Sequence, residues 1–526
     1  MNTLYLGDCL NVLRESVPDE SVDLVYIDPP FNSKRDYNIF FDDKEIQTQR
    51  IAFEDTWTLK NITDSLAELH TLKTDNLYYL LLTYQKVAPH AFPYLTMMSL
   101  RILELHRVLK PTGSFYLHCD PTMSHYLKTV CDLIFNVKNY QNEIIWKRTS
   151  AHSDSKTCGS AHDILFFYSK SETFLWNKEY QNYNEEYIKS HYRHSDENDR
   201  KYRTDNLTAM GLTGGGYDYE WNGVRKIWRV PLEKMKQLDE QKRIKYTRTG
   251  TAEFIRYLDE MPGIPLQDLW DDISPINSQA KERLGYPTQK PKALLERIIK
   301  ASSNEGDTVL DGFCGCGTTV DAAESLHRNW IGIDISPIAI SLIKRRLKDT
   351  YGEHLNKFEV RGTPTDEQSA IALWQQNPNA FQDWWLTEFE VFSTTFGTKG
   401  ADKGVDGLAQ YLADPKDQSI IRAAFSVKGG VNIKSGDIDA LLGAMDKHKC
   451  ELGVFLTIAE PTKPMLDTIA GAGFVEIPGF NIPRLQILTL KDYFGTKKLK
   501  LPSVNITFKA AQLKGKNKQN QIKLEM

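Results

Sequence analysis

The stretch SVDLVYIDPPF, residues 21–31, decides how this chain is read. Val22, Leu24, Val25, Tyr26 and Ile27 make a short apolar run that suits a parallel strand covered on both faces. Pro29 and Pro30 lack the N–H that a ladder needs, so pairing ends there and the backbone is held stiff. Asp28, two carbonyls and the Phe31 ring are thereby fixed at the carboxyl end of a strand, where open α/β sheets place their ligands. In isolation, an ordinary strand-ending turn with a solvated acid would read the same way.

A second stretch removes that ambiguity: DTVLDGFCGCGTTVDAAESLHRNWIGIDIS, residues 307–336. It reads as a strand (Thr308 to Leu310), a glycine loop, a helix opening at Thr318-Thr319, and a strand (Trp330 to Ile333) ending at Asp334. Gly315 and Gly317 let the backbone approach a ligand closely. Asp334 follows Asp311 by 23 residues, near the ~20-residue spacing at which an acid meets a ribose hydroxyl. The third glycine of a dinucleotide fingerprint is missing. Together the two stretches resemble the amino-methyltransferases that use S-adenosylmethionine (SAM) to methylate exocyclic amines of DNA bases, over about the first two thirds of the chain.

The order of the motifs refines the resemblance. Asp28 precedes Asp311 by 283 residues, so the glycine loop comes second. This permuted order looks like the beta class of that family, whose target-recognition region lies between the two motifs. Release-factor glutamine methyltransferases place the loop first and carry Asn before the prolines.

The resemblance implies an α/β, Rossmann-like, permuted methyltransferase domain with an inserted target-recognition domain. It implies Asp28, Pro29, Pro30 and Phe31 as the catalytic set, with no metal. It implies SAM held by Asp8, Thr288, Gln289, Lys290, Asp311, Phe313, Gly315, Gly317, Thr318 and Asp334, with Thr288, Gln289 and Lys290 beside the methionine end. Asp8 also suits a helix N-cap before Leu10, and the two uses are compatible. Gly312 stands where the family usually has Pro, which is expected to loosen the turn. His118, in the strand SFYLHCD, reads as a satisfied structural histidine rather than a catalytic base. Within the family, Asp before Pro-Pro goes with adenine more often than Ser does. Adenine N6 is therefore the expected target, and cytosine N4 is the rival.

At 526 residues the chain has length for two to four domains, and 41% hydrophobic residues give them cores. No apolar segment approaches the ~18 residues needed to span a bilayer. The N-terminus has neither a basic start nor a long apolar run, so secretion is not expected. Seven cysteines without framework spacing favour reduced thiols in a bacterial, archaeal or phage-infected cytoplasm. Cys314 and Cys316 read as small buried loop residues rather than half a metal site. A formal net charge of −4 neither advertises nor excludes nucleic-acid binding, because a local basic face is what matters.

The divisions expected are 1–170 and 281–360 for the two methyltransferase halves, with 171–280 for target recognition. A linker at 361–375, a nuclease-like domain at 376–495 and a basic tail at 496–526 follow. Lys34 and Arg35 sit in a polar loop where they meet phosphate or stay solvated. In the recognition region Tyr217, Tyr219, Trp221 and Trp228 interleave with Arg225, Lys226 and Arg229, a mix that suits double-stranded DNA. Self-association as a homodimer is left open, and no membrane partner is expected.

Beyond Arg361, Asp406 and the Ser426-x-Lys428 pair 20 residues later resemble the Mrr-type branch of PD-(D/E)xK nucleases. Those sites use Mg²⁺ to polarise phosphate, and Asp406 is the ligand expected here. Ser426 stands at the position of the usual Glu or Gln, and a neutral hydroxyl is a poor Mg²⁺ ligand. The expectation is a nuclease fold without robust cleavage, with a fused restriction and modification enzyme as the alternative.

Overall fold

The computed structural model describes residues 2–30, 59–72, 74–149, 157–209, 215–277, 280, 282–284, 289–393, 405–414, 419–430, 432–477, 480–495, 497–502 and 504–505. Phe31, Lys34, Arg35 and Thr288, all named above, lie outside them. The described residues form two compact units, Lys178–Gln267 and the remainder.

The larger unit is built on a nine-stranded mixed sheet. Its first strands are β1 (Asn2–Leu6), β2 (Val22–Ile27), β3 (Leu109–Cys119), β4 (Tyr140–Lys147) and β5 (His162–Ser169). The order across the sheet is Leu269–Trp270, β4, β5, β3, β2, Thr308–Asp311, Asn329–Asp334, β1, Phe358–Arg361. Neighbours run parallel except where β5 meets β3 and β4. β2 is buried on both faces, with Val22, Leu24, Val25, Tyr26 and Ile27 at 2% exposure or less.

β2 and Thr308–Asp311 are central neighbours, with Val309 opposite Leu24 and Asp311 opposite Tyr26. To one side of this pair the sheet continues to β3, and to the other to Asn329–Asp334. The pair therefore lies where strand order reverses, and in such sheets the crevice opens beyond the carboxyl ends. Asp28 and the glycine loop both emerge there. Lys110-Pro111-Thr112-Gly113, despite its Pro and Gly, lies within β3 and does not separate helix from strand. The helix Phe92–Val108 passes directly into β3, whose register against β2 shifts between Val22 and Leu24 to absorb the extra residues.

In the smaller unit, four antiparallel strands pair in the order Ile244–Tyr246, Ala252–Tyr257, Lys201–Asn206, His194–Ser195. A hairpin joins Tyr217–Trp221 to Val224–Trp228 through Asn222 and Gly223, both at positive φ, as a tight primed turn requires. Trp228 is fully buried with Leu207, Met235, Leu238 and Ala252. It is a core residue, which removes it from the aromatic set expected to meet DNA.

The C-terminal part belongs to the larger unit. The strands Phe392–Ser393, Gly407–Asp414, Ser419–Lys428, Leu452–Thr457 and Leu485–Thr489 form one sheet in that order, and the last three are mutually parallel. Two sequence expectations need correction. The polar stretch taken as a linker holds the helix Glu367–Gln376, started by a capping box between Asp366 and Ser369. Within the expected tail, Val504–Asn505 pairs with Gly407–Asp414 at Leu412 and Tyr411. Helix Pro378–Thr387 buries Phe381, Trp384 and Trp385 and packs on helix Pro337–Tyr351. The two parts thus share a helix–helix contact.

Candidate active site

Asp28 follows β2 directly, with its side chain 15% exposed. The Lys290 ammonium donates to its Oδ2. Pro29 is buried and Pro30 half-buried, so the segment cannot slide. Lys290 is itself held from both sides. Gln289 accepts from Leu284 N–H (2.8 Å) and donates to the Glu282 carbonyl (2.6 Å). Pro291 then caps the helix Lys292–Ser302, which buries Leu294, Leu295, Ile298 and Ile299.

The glycine loop is organised by two carboxylates. Asp311 Oδ1 accepts from Phe313 N–H (3.0 Å) and Oδ2 from the Thr319 hydroxyl (2.5 Å). Asp334 Oδ2 accepts from Gly315 N–H and Oδ1 from Ser336 N–H, both at 2.8 Å. Burial pushes Asp311 up to about 7, against the pull of Thr319 and Phe313. It pushes Asp334 up to about 6 against the backbone N–H groups of Ser336 and Gly315. Gly317 caps helix Thr318–Ser325 at φ +75°, and a Cβ there would lie 2.5 Å from Ile343 Cγ1. Only glycine allows both that conformation and that approach.

Two buried carboxylates fit a ligand bearing positive charge and hydroxyl donors. SAM has both, as a sulfonium, an ammonium and a ribose. Phe313 is half-buried against the core beside β1 and β2. Thr318 is buried, and its hydroxyl accepts from Arg346 (3.1 Å). Cys314 and Cys316 are also buried, Cys316 against Ile338 and Leu342.

Asp8 caps helix Cys9–Ser16, accepting at Oδ1 from Leu10 N–H (3.0 Å) and Asn11 N–H (3.3 Å), while Oδ2 takes the Arg101 guanidinium. Sequence reasoning missed Arg101. A cation inside the apolar run Met97 to Leu105 was the available signal, since buried cations need a partner. Gly312 also has a reason in the packing: a Cβ there would meet Cys9 Sγ at 2.8 Å. The position usually held by Pro is filled by the Cys9 side chain, which corrects the idea that the turn is merely loosened.

His118 is fully buried between two partners. Its Nδ1 lies 2.9 Å from the Tyr26 hydroxyl and its Nε2 3.2 Å from Asp163 Oδ2. Burial pushes Asp163 up, but the His118 bond and the Lys290 and Arg148 charges outweigh it and hold it below the usual carboxylate range. An ionised Asp163 can only accept, so Nε2–H donates to it, while Nδ1 shares a hydrogen bond with the Tyr26 hydroxyl. Both ring nitrogens are thus engaged, as a structural histidine requires.

The other expected residues are less concentrated. Exposed Arg225 pairs with Asp218 (3.2 Å), Lys226 donates to the Thr251 hydroxyl (2.9 Å), and exposed Arg229 donates to the Thr208 carbonyl (2.8 Å). In the C-terminal part Asp406 and Ser426 are both buried. Asp406 Oδ2 accepts from the Ser426 hydroxyl (3.1 Å) and Val427 N–H (2.6 Å), while Lys428 is exposed. Glu388, on the neighbouring helix end, accepts from the Tyr493 hydroxyl at 2.8 Å. Among the described residues no three His, Cys, Asp or Glu side chains gather as a metal site would need.

Residues 22–345 match the N6/N4 methyltransferase family of DNA methylases, and the chain belongs to that family. It is 28% identical over 307 residues to the type II methyltransferase M.EcaI of Enterobacter cloacae, covering 57% of this chain and 66% of that one. It is 28% identical over 345 residues to the Mod subunit of the type III restriction-modification enzyme StyLTI of Salmonella typhimurium, covering 62% and 50%. With the DNA adenine methyltransferase YhdJ of Escherichia coli K12 it shares 25% identity over 369 residues, covering 69% and 88%. The chain thus spans between half and two thirds of the first two relatives' lengths. Among solved structures, M1.HpyAVI with SAM aligns at a TM-score of 0.32 and 14% identity, covering 66% of this chain and 99% of that one.

Proposed function

We propose that this chain is a DNA adenine N6-methyltransferase acting on a base flipped out of duplex DNA, as the modification component of a restriction-modification system. The observation that carries the reading is the junction of Asp28-Pro29 with the Asp311 glycine loop on adjacent parallel strands. Family membership supports it, as do relatives named as modification methyltransferases, one of them as a DNA adenine methyltransferase. SAM bound at the glycine loop would supply a methyl group activated on its sulfonium.

The remaining chemistry falls to the chain. An exocyclic amine is a weak nucleophile because its lone pair is delocalised into the ring, and the base must first leave the stack at a cost of a few kcal/mol. Asp28 accepts one amine N–H and the Pro29 carbonyl another. Together they favour a pyramidal nitrogen with its lone pair free. The resemblance gives Phe31 the role of stacking on the extruded ring. Most of the rate gain then comes from positioning and fixed charge. Neither Cys9 nor Cys119 is offered as a nucleophile: burial pushes both thiols well up, so neither offers a thiolate.

The test is incubation with methyl-labelled SAM and mixed-sequence duplex DNA, followed by hydrolysis to nucleosides. N6-methyladenine is expected. Label confined to N4-methylcytosine would transfer the assignment to cytosine, and label only in protein or RNA would end the DNA reading. Asp28→Ala should abolish transfer while SAM still binds.

For the C-terminal part we infer a nuclease-like fold that does not cleave. The carboxylate it would offer a cation, Asp406, already accepts from Ser426 and Val427.

A further inference from the structure

Asp28 follows its strand among other titratable groups. Asp311 lies on the adjacent strand opposite Tyr26, and the Asp28 charge bears on Asp311, Tyr26, Tyr94 and Cys119, while Asp163 is close by on β5. A fixed cation beside the Asp28 carboxylate sets which of its oxygens is left to face a substrate. Lys290 is placed to do so. It pairs with Asp28 directly, and its charge reaches Asp163. The path closes on itself: Asp163 is oriented by His118, and His118 by Tyr26, two residues before Asp28 on β2.

We propose that Lys290 is the positioning residue of the Asp28 carboxylate, occupying Oδ2 so that Oδ1 faces the target amine. This rests on the methyltransferase reading above. It differs from the family-derived expectation that Lys290 serves the methionine end of SAM, and the two assignments make opposite demands. A residue that holds the cofactor changes SAM affinity. A residue that positions Asp28 changes the turnover rate at saturating SAM and leaves that affinity alone. Tethering on both sides, by Gln289 and by the helix after Pro291, makes the lysine a fixed charge rather than a wandering one.

The experiment measures, on the full chain, SAM affinity by titration calorimetry without DNA, and kcat for methylation of duplex DNA at saturating SAM. Lys290→Met should lose about 100-fold in kcat, the scale of removing one fixed charge from such a site, with SAM affinity kept within about threefold. Thermal melting checks that the variant folds. Lys290→Ala should regain activity when ethylammonium is added, which a purely structural lysine would not allow. In an Asp28→Asn background Lys290→Met should cost nothing more, because the carboxylate it serves is gone. Unchanged kcat in Lys290→Met overturns the inference. So does a large loss of SAM affinity with kcat intact. A wild-type chain that methylates no DNA overturns the methyltransferase reading itself, which the variants alone cannot do.

Discussion

The two loop carboxylates make SAM binding depend on pH in a direction the structure fixes. Burial holds Asp311 at about 7 and Asp334 at about 6. From those values both are ionised in roughly 5% of ligand-free molecules at pH 6 and in roughly 90% at pH 8. A ligand that needs both charges gains about 20-fold in affinity over that interval, or ~1.8 kcal/mol. The sign is that of an acid raised on folding. In the empty chain this contribution to stability is complete below the ordinary aspartate value and is lost as pH rises through about 6 and 7. The melting-temperature gain on adding SAM should therefore be larger at pH 8 than at pH 6. Calorimetric titration at several pH values measures the affinity directly. The ligand's own α-amino group titrates at ~7.8, so Asp311→Asn is the control. It should leave only the share of Asp334, about twofold. A wild-type affinity that is flat or falls with pH, or an equal slope in Asp311→Asn, would refute the reasoning.

Two further outcomes follow from packing at other points. Gly312→Ala should destabilise the chain by about 1–2 kcal/mol in denaturant unfolding, because its Cβ meets Cys9 Sγ at 2.8 Å. Cys9→Gly should recover most of that loss in a double-mutant cycle, and strict additivity would show that the two positions do not interact. In the C-terminal part, Mg²⁺ should produce no cuts in methylated or unmethylated DNA. Reproducible cleavage that disappears in both Asp406→Ala and Lys428→Ala would reverse that reading.

What the sequence disclosed was local. β2 was visible because five apolar residues run into Asp28 and two prolines, and the helix at Thr318 because a glycine loop precedes it. The Asp28–Lys290 pair and the Asp163–His118–Tyr26 chain join residues far apart in sequence, and no spacing rule connects them. Trp228 looked like a DNA contact because alternation with Arg and Lys reads the same from either face of a hairpin. Only the partner elements decide which face is covered. Asp366 and Glu367 looked like linker because capping residues are the same polar residues that fill linkers.

The adjacency of β2 and Thr308–Asp311 also bears on synthesis. The two strands are neighbours in the sheet, yet Asp28 and Asp311 are 283 residues apart. At ~5–20 residues per second, a ribosome needs roughly 15–60 s to pass from one to the other. One edge of β2 can be covered by β3 early in that interval, while its other edge waits for the glycine-loop strand. A nascent chain halted between the two motifs would carry the Asp-Pro-Pro segment with no partner for that edge and no glycine loop beside it.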